Sequence, residues 1–147
     1  MRNRFHGVFS LILFSVAIVI GFFAILNDSF TSGVVYVGLV AISVLIILYA
    51  YCVKCEIRED SCRHVIPGKI ASMMPRRASG RYTFLDYGGV ALPLVVILGF
   101  PQIWLAGHRT LLFLFWVLVV LGLVEILIFV CCGCGNRKCP ICALRND

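Results

Sequence analysis

Charge is scarce in this chain, and negative charge scarcer still. Of the 147 residues 14% are charged, and 13 Lys and Arg stand against 7 Asp and Glu. An average soluble domain carries about 25% charged residues, whereas 61% of this sequence is hydrophobic. That balance excludes an ordinary soluble domain. No Ser-His-Asp order, phosphate-cradling glycine loop or paired catalytic carboxylates can be found, so a stand-alone hydrolase or kinase has no support. Histidine is limited to three residues, none inside the apolar runs drawn below, which disfavours a transmembrane bis-histidine haem. A soluble basic domain to hold a duplex is lacking, and the outer connections are too short for a ligand-binding module.

What is abundant is uninterrupted apolar sequence. A run of about 18 to 20 residues without charge can cross a hydrocarbon core. Four stretches come close to or meet that length, at 8–26, 34–53, 87–105 and 111–130, and Glu125 is the one acid within them. The first follows the basic start "MRNRFHG" but is long for a signal core, and no Ala-x-Ala site follows it. It is read as a retained helix. The expected fold is an all-α membrane protein: a single domain of four transmembrane helices in two antiparallel hairpins, with a cytoplasmic loop at 54–83 and a cysteine-rich tail at 131–147.

Orientation follows from the Lys and Arg count in the connections. Arg2 and Arg4 precede the first span, seven basic residues from Lys54 to Arg81 lie in the central loop, and Arg137, Lys138 and Arg145 lie in the tail. Arg109 alone is on the other side. Both termini and the loop are therefore expected in the cytoplasm, in a bacterial or archaeal cytoplasmic membrane. The lipid bilayer and protein subunits of a membrane complex are the expected partners, and nucleic acid is not. Part of the loop, "VIPGKIASMMPRR", mixes apolar and basic residues suited to the headgroup layer. A loop of this length requires something to fasten it. Tyr49, Tyr51, Tyr82 and Tyr87 fall near the cytoplasmic boundary, and Tyr36 and Trp104 near the other, in the pattern of aromatic belts.

The eight cysteines all fall on the expected cytoplasmic side, where thiols stay reduced. Six form Cys-x-x-Cys pairs: Cys52 with Cys55, Cys131 with Cys134, and Cys139 with Cys142. Such pairs let two thiolates converge on one ion. Cys62 and His64 add another ligand pair, while Cys132 is equally explained as a small apolar residue. One economical arrangement joins Cys52, Cys55, Cys131 and Cys134 in one site, with Cys62, His64, Cys139 and Cys142 in a second. A single shared site is the alternative. The metal is expected to be zinc acting as a staple. The spacing Cys134-x4-Cys139-x2-Cys142 resembles the first three ligand spacings of plant-type ferredoxins, which keeps an iron-sulfur cluster as the other cofactor. The fourth ligand would then come from upstream, for example Cys52 or Cys55.

Glu125 lies about 7.5 Å inside the fourth span. Two readings stand open for it: a hydrogen bond to the Gly89 carbonyl, which Pro93 leaves without a helical donor, or a proton relay beside a quinone headgroup. Asp86 suits the positive N-terminal end of the third helix, with an ion pair to a loop arginine as a second use. His108 and Arg109 are expected to be solvated. The functional expectation is a small subunit or anchor of a membrane complex, without catalytic activity of its own. The alternatives are an electron-transfer subunit exchanging electrons with a quinone and, third, transport or handling of a soft metal such as Cu(I).

Overall fold

The computed structural model describes residues 2–55, 65–75, 77 and 82–131, with side-chain surroundings for 5–55, 66–75, 77 and 82–131. The described residues form helices and turns only. In chain order they are α1 (Arg2–Leu26), α2 (Phe30–Ile47), a π-helical turn (Leu48–Cys52), α3 (Val65–Ser72), α4 (Phe84–Gly99), α5 (Gln102–Leu105), α6 (Arg109–Glu125) and a second π-helical turn (Ile126–Val130).

Joined with their continuations, these give four helices long and apolar enough to cross a membrane: Phe5–Leu26, Phe30–Cys52, Phe84–Leu105 and Arg109–Val130. Each begins earlier than its apolar run, and before two of them a capping residue sets the start. Before α2 that residue is Ser29, extended at φ −148° and ψ 115°, whose Oγ accepts the Ser32 N–H at 3.3 Å. Before α4, the Thr83 N–H donates to the carboxylate of Asp86, the third residue of the helix, at 2.8 Å.

Packing pairs α1 with α6 and α2 with α4. The interior between α1, α5 and α6 is built on Ala17, Ala24, Leu105, Phe115 and Val119, all buried. Small residues on α1 let the large side chains of α6 approach closely, which is how helices associate where lipid supplies no hydrophobic drive. The outward faces carry Val19, Phe23, Ile42, Val95, Phe113 and Val120, all exposed. An apolar surface of this extent is compatible with contact with lipid and unsuited to water.

Two prolines, Pro93 and Pro101, interrupt the third span, and the second has a clear structural answer. Pro101 has no N–H, so the Ile97 carbonyl four residues earlier loses its helical donor. The buried Tyr36 of α2 supplies one, its hydroxyl donating to that oxygen at 3.1 Å while its ring stacks on Phe100. Gly21 of α1 makes room: a Cβ there would lie 3.0 Å from Pro101 Cβ and 3.3 Å from the Tyr36 hydroxyl. Tyr36 is therefore an interior residue, which corrects its assignment to an aromatic belt. Polar backbone inside a bilayer has no water to turn to, so this hydroxyl answers a local need of α4. Before Pro93, Gly89 lies against the π-helical turn of the second span, so close that an added Cβ would lie 2.7 Å from Ala50 Cβ.

Candidate functional site

The chemistry-bearing residues gather at the end of the bundle where α1 begins and α6 stops. Asp86 is the hub of one half. It is 1% exposed, and its Oδ2 accepts from Lys54 Nζ at 2.6 Å, from Thr83 N at 2.8 Å and from Thr83 Oγ1 at 2.9 Å. Its Oδ1 has Arg77 Nη1 at 3.3 Å, an ion-pair contact without hydrogen-bond alignment. The end of the second span, the central loop and the start of α4 are thus tied to one carboxylate. Aromatic faces complete the cluster: Tyr51 stacks on Tyr82 at 4.6 Å, Lys54 lies 5.6 Å from the Tyr82 ring, and Arg77 lies 5.1 Å from the Tyr49 ring. Both uses considered for Asp86, at the helix terminus and against a loop arginine, occur together. Lys54 is an addition to them.

Lys54 is also the third residue of Cys52-Val53-Lys54-Cys55. The turn is closed by the Cys55 N–H donating to the Cys52 carbonyl at 3.2 Å, and both cysteines are half-buried. Val53 is buried, and Lys54 is drawn to Asp86. The two intervening side chains therefore fix the rotation of the turn about the helix axis, and with it the position of the cysteine pair.

The other half joins α1 to α6. His6 Nδ1 lies 2.9 Å from Glu125 Oε2, and the imidazole stacks on Phe129 with ring centroids 4.5 Å apart and planes 9° apart. With its proton on Nδ1, the ring donates to the carboxylate and leaves Nε2 as the acceptor. This overturns one expectation and bears on a second. His6 belongs to the Phe5–Leu26 span, although the histidines were expected outside the spans. Glu125 is bonded to His6, and not to the Gly89 carbonyl named in one of the two readings left open for it. The physical reason is helix adjacency: α6 lies along α1, and the Gly89 side of α4 is turned to Ala50. His108 is at the opposite end, preceding α6, so these two histidines cannot share a haem.

Each half is accompanied by a π-helical turn. Leu48–Cys52 precedes Cys55, and Ile126–Val130 begins directly after Glu125 and delivers the half-buried Cys131. Such turns occur mostly as single insertions at functional positions. Of the expected metal ligands, Cys52, Cys55 and Cys131 are described, while Cys62, His64, Cys134, Cys139 and Cys142, together with Cys132, lie outside the described residues. Among the described residues no three His, Cys, Asp or Glu side chains converge as a metal site. Sequence reasoning passed over Lys54 and His6. A signal for both exists: a lone acid near the end of one apolar span and a lone base at the same expected depth of another.

The chain matches no family model, no curated protein and no solved structure.

Proposed function

We propose that this chain is a small integral membrane subunit or anchor of a larger membrane assembly, with a structural metal site of zinc type at its cytoplasmic face. The spans form two antiparallel hairpins, and the basic loop and tail lie on the cytoplasmic side. The reading is carried by the Cys52–Cys55 turn. Its closing hydrogen bond of 3.2 Å and the adjacent Lys54–Asp86 ion pair support the reading, because they steady the turn that carries both thiols. A half-site of this kind fits zinc, which takes four thiolate or imidazole ligands in tetrahedral array.

Cys52 and Cys55 would supply two ligands, with the remainder drawn from Cys62, His64, Cys131, Cys134, Cys139 and Cys142. Bound there, zinc would cross-link the central loop and the tail and supply no redox chemistry. The protein's own residues do the positioning. Asp86 anchors the turn through Lys54, and the π-helical turn ending at Val130 aims Cys131. The platform so formed is suited to a protein partner.

Elemental analysis and a visible spectrum of anaerobically purified protein test this. About one or two zinc ions per chain in a colourless sample are expected, with zinc lost on Cys52→Ser and Cys55→Ser. Iron with acid-labile sulfide would replace the proposal by an electron-transfer subunit, with quinone reduction as the next assay. Absence of tightly bound metal would overturn it in favour of soft-metal handling or thiol chemistry.

A further inference from the structure

The outer face of α1 bears a groove of about 340 Å³, lined by Val8, Ile12, Val16, Val19 and Ile20 and reached at one end by Ile66 of α3. From Val8 to Ile20 a helix rises about 18 Å, close to the roughly 15 Å half-thickness of a bilayer's hydrocarbon core. The groove thus has the length of one leaflet.

One lining residue, Ile66, belongs to α3 and marks the mouth of the groove. Gly68 and Ala71 of α3 are buried, whereas Ile66 and Ile70, and Met73 just beyond the helix, are exposed at i, i+4 and i+7. Small residues therefore seat α3 on the bundle, and a stripe of large apolar ones is turned outward, as in a helix lying at the acyl–headgroup boundary. Lys69 is exposed, three residues after Ile66 and so on the same side of the helix. A cation accordingly stands one turn from the mouth of an apolar groove of leaflet length.

We propose that this groove and Lys69 form a binding site for one anionic phospholipid, with an acyl chain along α1 and the phosphate at Lys69. Charge favours this occupant over a second copy of the chain. Docking two copies through this face would bring together two chains that each carry a net charge of +6 and an exposed Lys69, whereas an anionic headgroup neutralises that charge. The site does not depend on any metal.

The test is native mass spectrometry of the detergent-purified chain after incubation with equal amounts of phosphatidylglycerol and phosphatidylcholine. One retained phosphatidylglycerol per chain is expected, with a preference of about fivefold contributed by the single lysine. Lys69→Glu should abolish the preference. Val16→Trp, at a residue 43% exposed, should fill the groove and reduce retention of both lipids without disturbing the interior. Equal retention of the two lipids by the wild type, or unchanged retention in Val16→Trp, would overturn the proposal. A dimer that dissociates in Val16→Trp would overturn it in favour of a contact between copies.

Discussion

Lys54 Nζ lies 2.6 Å from Asp86 Oδ2, and the lysine that makes this contact stands between Cys52 and Cys55. The residue locking the second span to the fourth helix is therefore part of the candidate ligand turn. Removing the carboxylate leaves two cations, Lys54 and Arg77, facing an uncharged site. Asp86→Ala is expected to destabilise by about 3–5 kcal/mol, as for other broken buried pairs. Lys54→Met with Asp86→Ala should cost much less than the sum of the single changes. Thermal denaturation in detergent of the two single variants and the double variant measures the difference. Lys54→Met alone should also speed removal of metal by a chelator, because it unfastens the turn while keeping every thiol.

Tyr36 answers a vacancy that Pro101 creates, so the value of the hydroxyl depends on the proline. Tyr36→Phe should cost about 1–2 kcal/mol, the worth of a buried hydrogen bond between helices in a membrane. In a Pro101→Ala background the restored N–H can bond the Ile97 carbonyl, and the same change should then be nearly neutral. An equal cost in both backgrounds would show that the hydroxyl bond to Ile97 is not what stabilises this crossing.

Gly89 and Ala50 set the distance between α4 and the end of the second span. A methyl group at residue 89 would stand 2.7 Å from Ala50 Cβ, closer than real Cβ atoms approach. Gly89→Ala is expected to cost about 1–3 kcal/mol by overpacking, and adding Ala50→Gly should recover most of the loss. Gly38→Ala, where an added Cβ meets nothing within 4 Å, serves as the control and should be neutral or slightly stabilising, as helix propensity favours alanine.

The His6–Glu125 contact makes a further double-mutant cycle informative. His6→Phe and Glu125→Leu each leave one polar partner unmatched, whereas the double variant leaves neither. A coupling of about 0.5–3 kcal/mol between the positions is expected. Additive effects in thermal denaturation would contradict the contact.

The four spans were legible because length and hydropathy alone define them, and Asp86 was legible because an acid at the start of a helix has a local reason to be there. The partner of Glu125 was not. Which helix lies beside which is decided by side-chain fit across the bundle, and neither the α1–α6 contact nor the turning of Gly89 to Ala50 is written in any local pattern. Tyr36 resembled an interfacial aromatic because its depth suited a belt, and only the carbonyl released by Pro101 explains its burial. Lys54 was hidden by its neighbours, since in Cys-Val-Lys-Cys the cysteines draw the reading and the spacer goes unweighed. Of the cysteine sets, Cys52, Cys55 and Cys131 lie among the described residues. Their pairing depends on residues such as Cys134 and Cys139 that sequence spacing leaves unconnected to Cys52.

The two π-helical turns set the angular phase of the described residues that directly follow them, Val53–Cys55 and Cys131. Relative to α-helical bonding, each accommodates one extra residue, and an α-helix advances about 100° per residue. Deleting one residue from Ile126–Val130 would let the α-pattern run on and swing Cys131 by about that angle around the helix. The apolar composition would scarcely change, and the span would remain long enough to cross a bilayer. The thiol would nevertheless point to a different azimuth, so the extra residue acts as an angular offset between the membrane-facing pattern and the cysteines beyond it.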